Sequence, residues 1–286
     1  MSDLLIRSVS ADEFAVALAW AAAEGWNPGL DDMRAFHAAD PEGFLMGLMD
    51  GQPVSSISVV RYGDSFGFLG FYIVQPAWRG HGYGMATWQA GLHHLGARTI
   101  GLDGVVDQQD NYKKSGFVYA GRNVRYSGVP AVDPATPLSP DIRTMQAADL
   151  TALEAYERNL FPARRRAFLE AWTVPGPDEK RVTKIAVTDG RVRGYGTIRA
   201  CRAGHKIGPL FAADEKTATS LFIALCRTTS GSDEISLDPP DANGPAVALA
   251  RRFGLHPVFE TARMYKGEAP VLALDHIYGL TTFELG

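Results

Sequence analysis

The stretch with the clearest chemical potential is a glycine-rich loop between an apolar strand and a helix. Residues 68–74 are an apolar run that ends before Pro76, and residues 79–84 then read Arg-Gly-His-Gly-Tyr-Gly. Glycines let the backbone approach a ligand with its N–H groups turned one way. The helix that follows adds unpaired N–H donors and the positive end of its dipole. Such a loop can bind a pyrophosphate through backbone groups alone.

Other interpretations of this loop make different demands on the sequence. A dinucleotide-binding fingerprint needs Gly-x-Gly-x-x-Gly early in a βαβ unit and an acidic residue about 20 positions later. Here the glycine spacing differs, and the loop follows the third strand of a meander. A P-loop needs Gly-Lys-Ser/Thr, which the loop lacks. A purely structural glycine turn is the alternative that stays open.

A second pattern follows at residues 112–117, Tyr-Lys-Lys-Ser-Gly-Phe. Together with the loop it resembles the GNAT superfamily of acyl-CoA-dependent N-acyltransferases. Their signature is an apolar strand followed by Gln/Arg-x-x-Gly-x-Gly/Ala at the start of a helix, and later a Tyr four residues before a Gly-Phe pair. Residues 79–84 match the first motif residue for residue. The resemblance covers roughly residues 3–127, with both motifs in order.

The resemblance implies one acyl-CoA site, with acetyl-CoA as co-substrate and no metal. Backbone N–H groups of the loop would hold the CoA pyrophosphate, and the end of the strand would bind the pantetheine arm like an added strand. The neighbouring strand, residues 99–104, should diverge to make room. Arg79 would order the loop or contact a phosphate. The predicted cofactor-binding residues are Tyr72, Ile73, Val74, Arg79, Gly80, His81, Gly82, Tyr83, Gly84 and Met85.

Tyr112 is the catalytic residue that the resemblance implies. A neutral amine would attack the thioester directly in a ternary complex, and Tyr112 would protonate the departing thiolate. A phenol with a pKa near 10 is a suitable acid toward a thiol of about 8.5. The alternative is a packed aromatic ring whose hydroxyl bonds the backbone.

The general base is not assigned by the sequence. Many members of the family carry an Asn where this chain has Val105, and many place a Glu on the long meander strand, whereas Phe66–Val74 contains no acid. Asp103, Asp107 and His81 are the nearest candidates, and each could instead be structural or solvated. An amine could also lose its proton to water without a dedicated base.

The segment after the first helix should cover the acceptor side. Trp26 and Asn27 could line the pocket, with Glu24, Asp31 or Asp32 meeting a cation. The alternative is a turn that ends the helix, with a buried Trp and Asp31 as the next N-cap.

The end of the sequence supplies further candidates for the acceptor side. His276, Tyr278 and Glu284 could reach the pocket, or could be core residues. The predicted substrate-binding residues are Trp26, Asn27, Asp103 and Tyr278.

The elements that position these groups repeat along the chain. The hairpin turn Asp50-Gly51 returns as Asp189-Gly190, and Gly116 returns as Gly254. The repeat predicts one mixed α/β fold used twice, with residues 117–125 as the closing strand of the first copy and a Pro-rich linker at 129–140 between the copies. Together with the family resemblance, this implies a catalytic domain at 1–128 and a degenerate GNAT-like domain at 141–286 that closes the acceptor site. The second domain lacks the glycine loop.

Composition limits the class of protein. The chain has 28 Lys plus Arg against 32 Asp plus Glu, so the net charge is −4, which argues against nucleic-acid binding. No run of about 20 apolar residues and no signal peptide is present, so we expect a cytoplasmic protein with no membrane partner. Two cysteines and scattered histidines provide neither disulfide framework nor metal cluster.

The sequence as a whole predicts an N-acetyltransferase, a monomer or homodimer that acetylates a primary amine of a small molecule. The alternatives are a non-catalytic acyl-CoA sensor and an acetyltransferase of protein lysines or N-termini.

Overall fold

The computed structural model describes residues 3–286, which contain thirteen strands and eight α-helices. None of these helices is long and apolar enough to cross a membrane. In chain order the elements up to residue 128 are β1 (Leu5–Ser8), α1 (Ala11–Ala23), α2 (Asp32–Ala39), β2 (Phe44–Met49), β3 (Gln52–Tyr62), β4 (Phe66–Val74), α3 (Tyr83–Leu95), β5 (Thr99–Val105), α4 (Gln109–Lys114) and β6 (Val118–Gly128). The elements that follow are β7 (Ile142–Thr144), α5 (Leu150–Glu157), α6 (Arg166–Thr173), β8 (Arg181–Thr188), β9 (Arg191–Ala200), β10 (His205–Ala212), α7 (Glu215–Cys226), β11 (Ile235–Leu237), α8 (Gly244–Arg252), β12 (His256–Lys266) and β13 (Ile277–Gly279).

Short-range signals explain why these elements begin and end where they do. Ser10 and Glu13 form a capping box at the start of α1, each side chain accepting a hydrogen bond from the other's backbone N–H. Asp50 and Gly51 join β2 to β3 with φ of 49° and 80°, and the Asp189-Gly190 turn between β8 and β9 repeats this geometry. The repeat seen in the sequence is therefore present in the backbone.

All thirteen strands form one continuous mixed sheet. Its order is β1-β2-β3-β4-β5-β12-β6-β11-β10-β9-β8-β7, and β13 pairs with β10 outside this row. Helices α1 and α3 pack on β4, and α7 packs on β9 and β10. The predicted mixed α/β fold, used twice, is confirmed.

The closing strands of the two halves are exchanged. β12 pairs with β5, with Met264 opposite Leu102, and β6 pairs with β11, with Tyr126 opposite Leu237. β6 and β12 also pair with each other and so join the two halves. The prediction that residues 117–125 close the sheet of their own half is wrong, because β12 occupies that edge of β5. The boundaries at 128 and 140 stay a prediction, and residues 129–140 contain no helix or strand.

A short strand near the end of the chain fills a gap in the second half. The parallel pairing of β10 with β11 ends at Ile207 and Leu237. β13 then pairs with β10 at Leu210 and Phe211, in the space where β10 and β11 part. The chain continues back toward β4, and residues 277–286 are buried throughout. The second half thus supplies a segment to the first.

Candidate active site

A cleft opens between β4 and β5. The two strands pair in parallel from Phe66 and Thr99 to Leu69 and Leu102, and no pairing between them follows. β5 stays paired on its other side, where Val105 lies opposite Thr261 of β12. The predicted divergence of residues 99–104 is therefore present from Leu102 onward, and the end of β4 has a free edge that faces the cleft.

A bulge in β4 marks the point where the cleft opens. Between the pairs Ser58–Gly70 and Ser56–Ile73, two residues of β4 stand against one of β3. Phe71, the first of the two, has a φ of 44° and a buried side chain. The hydroxyl of Ser56 donates to its carbonyl oxygen at 2.8 Å. The bulge therefore turns the backbone of the strand end in a fixed way.

The glycine loop lies at the mouth of this cleft. Gly80 and Gly82 have φ of 83° and 84°, values that strain any other residue, and Gly82 is the N-cap of α3 without a capping side chain. Within residues 3–286, no backbone N–H from Gly80 to Met85 donates a hydrogen bond. The loop and the first helical turn therefore present a row of free donors at the positive end of the helix dipole.

Helix α3 can lie against the end of β4 because residue 84 is glycine. A Cβ at Gly84 would lie 2.8 Å from the hydroxyl oxygen of Tyr72 and 2.9 Å from a methyl group of Val74. The ring of Tyr72 meets Trp88 of the same helix edge-on at 5.1 Å. The free donors of the loop are thus held next to the free edge of the strand.

Arg79 connects the loop to its surroundings. Its Nε donates to the carbonyl oxygen of Val74 at 2.9 Å, and its Nη2 forms an ion pair with Glu24 at 2.8 Å. The guanidinium is half exposed. Arg79 therefore fixes the loop to β4 and to the end of α1, and His81 stacks on Tyr83 at the loop surface with centroids 5.7 Å apart.

Tyr112 lies on the opposite wall of the cleft. Its ring stacks on Trp88 at 5.6 Å and packs over Gly104, where a Cβ would fall 2.9 Å from a ring carbon. No described residue shares a hydrogen bond with its hydroxyl. Burial, with a smaller contribution from Tyr72, raises the pKa of Tyr112 to about 12. The phenol therefore keeps its proton at neutral pH.

These groups border a cavity of about 820 Å³. The segment after α1, the exchanged strands β6 and β12, and the end of the chain border one side of it. The lining residues from these elements and from β4, β5 and α4 include Trp26, Phe71, Tyr72, Ile73, Val74, Arg79, Asp103, Tyr112, Arg125, Phe259, Glu260, Phe283 and Glu284. Three aromatic residues of the first-named elements, Trp26, Phe259 and Phe283, border it, so this part of the space suits an apolar group.

Two residues predicted to bind the acceptor lie elsewhere. Asn27, with a φ of 49°, exchanges hydrogen bonds of 2.8 and 3.1 Å with the backbone of Ala203, so it fastens its segment to the second half. Tyr278 packs in the core of the second half. Asp31 accepts a hydrogen bond from the Lys180 N–H, and His276 is partly exposed beside Asp275. Trp26, in contrast, borders the cavity.

Asp103 borders the cavity, but its carboxylate is engaged. Arg263 of β12 binds both of its oxygens, at 2.8 and 2.6 Å, and the Asn123 amide donates to it at 2.7 Å. The side chain has no exposed surface. Its role in this structure is to join β5 to the two exchanged strands.

A buried cationic group beneath Trp26 was not predicted from the sequence. Arg125 binds both oxygens of Asp238, at 2.8 and 2.7 Å, and donates to the Trp26 carbonyl oxygen at 3.0 Å. Lys206 donates to the same carbonyl at 2.9 Å. Burial, together with the charge of Arg125, lowers the pKa of Lys206 to about 8. No local pattern in the sequence links Arg125 to Asp238, because the two residues are 113 positions apart.

Metal ligands are not gathered anywhere in the described part of the chain. No cluster of three or more His, Cys, Asp or Glu side chains that could hold a metal ion occurs in residues 3–286.

Comparisons with known proteins agree with this geometry. The model of the acetyltransferase (GNAT) family matches residues 12–117, and that of an acetyltransferase (GNAT) domain matches residues 153–279. Holothin acyltransferase of Pseudoalteromonas sp. (strain SANK 73390) is 31% identical over 284 residues, covering 98% of this chain and 94% of that protein.

Solved structures show the same fold. A candidate acetyltransferase from Pyrococcus horikoshii covers 99% of this chain, which covers 96% of it, with a TM-score of 0.81 and 21% identity. A tandem GNAT protein from the clavulanic acid biosynthesis pathway has a TM-score of 0.61 and 16% identity, over 94% of this chain and all of that one. The chain therefore belongs to the GNAT superfamily and is an acyltransferase with two GNAT domains in tandem.

Proposed function

We propose that the protein transfers an acetyl group from acetyl-CoA to the primary amine of a small molecule, with both substrates bound together. The observation that carries the proposal is the row of unpaired N–H groups from Gly80 to Met85 beside the free edge of β4. These donors suit a pyrophosphate, and the strand edge suits an amide-containing arm. The acyl-CoA supplies an acyl group activated as a thioester.

The side chains along β4 would guide the arm toward the cavity. Tyr72, Ile73 and Val74 offer the unpaired edge, while the ion pair of Arg79 with Glu24 keeps the loop in place. His81, Tyr83 and Gly84 complete the loop that would surround the phosphates. The second half has no equivalent space, because β13 occupies it, so we expect one acyl-CoA per chain.

Tyr112 would act as the general acid. Its raised pKa keeps the proton on the phenol until a stronger base lies beside it. The thiolate that forms as the C–S bond breaks would take this proton and leave as a neutral thiol.

The acceptor would be a small amine with an apolar or aromatic body. Trp26, Phe259 and Phe283 border the acceptor side, and the exchanged strands close it. A protein lysine needs an open groove along the surface, whereas the exchanged strands and the end of the chain border this cavity. The name of the relative, holothin acyltransferase, also supports a small-molecule acceptor.

Thermal stabilisation by acetyl-CoA and CoA, followed by a thiol-release assay, tests the proposal. The amine panel contains benzylamine, tryptamine, spermidine, glucosamine and free amino acids. We expect stabilisation by both CoA species but not by adenosine, and thiol release with one amine class. Absence of stabilisation would refute the CoA site, and stabilisation without thiol release would favour an acyl-CoA sensor.

A further inference from the structure

The carboxylates that border the cavity differ in their ion pairs and in their exposure to solvent. Glu24 is paired with Arg79 at 2.8 Å, Glu260 with Arg122 at 3.1 Å, and Asp103 with Arg263. Asp107 is exposed in the turn after β5. None of these four is both protected from bulk water and available to a ligand.

Glu284 is the exception. It borders the cavity and is 6% exposed, yet within residues 3–286 its carboxylate has neither an ion pair nor a hydrogen bond. The carboxylate oxygens of Glu284 are not fully buried, so they retain contact with the cavity space. A buried carboxylate without a partner is costly, and a cationic ligand would remove that cost.

The backbone around Glu284 is held firmly. The hydroxyl of Thr282 accepts hydrogen bonds from the N–H groups of Glu284 and Leu285 at 3.2 and 2.9 Å, and the hydroxyl of Tyr62 donates to the Leu285 carbonyl at 3.0 Å. A Cβ at Gly70 would lie 2.8 Å from the Cα of Glu284. Residue 284 therefore packs directly on β4, next to the bulge where the cleft opens.

Basic groups lie near this carboxylate without binding it. Attraction to Glu284 acts to raise the pKa of Arg125, Arg199 and Lys206, in each case after larger effects that begin with burial. Arg125 is bound to Asp238, Arg199 is paired with Asp32, and Lys206 donates to Trp26. Each of these cations is thus engaged by another group, so the oxygens of Glu284 remain available to a ligand.

We propose that Glu284, which the end of the second half places at the cavity between β4 and β5, binds the ammonium group of the acceptor and removes its proton as the general base. Glu284 would thus supply the general base, since β4 of this chain contains no acidic residue that could serve as one. The inference rests on the proposed function, since it requires an amine acceptor in this cavity.

Protons and bonds balance as follows. Glu284 takes one proton from the ammonium group and releases it to solvent. The neutral nitrogen then forms the C–N bond while the C–S bond breaks, and Tyr112 gives its proton to the sulfur. The second proton lost by the nitrogen restores the phenol of Tyr112. The net products are an amide, free CoA thiol and one proton.

Glu284→Gln, which keeps the size of the side chain, is the test variant, and Glu284→Asp is the conservative one. The matched control is Glu42→Gln, which removes an exposed charge paired with Arg61. We expect kcat of Glu284→Gln to fall about 100-fold or more, with partial recovery in Glu284→Asp and no change in the control. Stabilisation by acetyl-CoA should be the same in all four proteins.

Binding provides a readout independent of turnover. Calorimetry on CoA-saturated protein compares benzylamine and tryptamine with benzyl alcohol, which lacks the charge. We expect Glu284→Gln to bind the amines at least 10-fold more weakly and the alcohol equally. Turnover within twofold of wild type, or no difference in amine binding between the two proteins, would refute the role of Glu284. Loss of stabilisation by acetyl-CoA in the wild type would instead refute the proposed function.

Discussion

Gly70→Ala tests the packing of the end of the chain on β4. The new methyl group would meet the carbonyl oxygen of Glu284 and lie 2.8 Å from its Cα. That Cα would have to retreat by about 0.6 Å to reach ordinary van der Waals contact at 3.4 Å. The methyl group is fixed directly to the Cα of residue 70 and the atoms it meets on Glu284 are backbone, so no side-chain rotation relieves the contact. Glu284 should therefore shift away from the cleft.

The expected effects are a moderate loss of stability and a larger loss of turnover. Overpacking of this kind costs about 1–3 kcal/mol, which at about 2–4 °C per kcal/mol lowers Tm by roughly 2–12 °C. Displacement of a catalytic group by up to 1 Å costs about 10- to 100-fold in kcat. Calorimetry and the thiol-release assay measure these quantities, and the Kd for acetyl-CoA should change little because the substitution leaves the glycine loop and its free N–H groups unaltered.

Gly121→Ala provides the matched control. Gly121 also lies in a strand, β6, but no atom lies within 4 Å of its would-be Cβ. That variant should retain both Tm and kcat. If Gly70→Ala also retained kcat within twofold and Tm within 1 °C, Glu284 would not pack on β4 as described.

Three further predictions concern the cofactor side and the core. Tyr112→Phe should retain affinity for acetyl-CoA in calorimetry while kcat falls about 100-fold, and unchanged turnover would contradict its role as acid. Gly82→Val, at a φ of 84°, should weaken acetyl-CoA binding more than 10-fold, with far-UV circular dichroism as the check on folding. Burial raises the pKa of Asp40, but hydrogen bonds from His94 and Arg61 outweigh it and hold that pKa below its ordinary value of 3.8. Asp40 therefore contributes stability above about pH 4 that is lost as pH falls further, and Asp40→Asn should show a shallower loss in urea unfolding at acid pH.

The local parts of the site could be predicted because their signals are local. The bounds of β4 and α1 follow from apolar patterning and capping, and the loop from Gly80 to Gly84 follows from glycine spacing. The divergence of β5 came with the family resemblance. For β4, α1 and the loop, residues that are close in sequence determine the local structure.

The exchange of β6 and β12 could not be predicted in the same way. Both halves carry a closing strand of similar pattern, and sequence alone does not reveal which edge each strand will pair with. The same limit applies to Arg125 with Asp238, which are distant in sequence. Glu284 was predicted as a candidate pocket residue. That its carboxylate has no partner could not be predicted, because this depends on the orientation of each nearby cationic side chain.

The exchanged strands also bear on biosynthesis. When residue 128 has been made, β5 still lacks its neighbour β12, which ends 138 residues later at Lys266. At about 5–20 residues per second, that interval is roughly 7–28 s, during which β5 has an open, apolar edge able to pair with another nascent chain. The sheet of the first half therefore stays incomplete during synthesis until β12 of the second half has emerged from the ribosome.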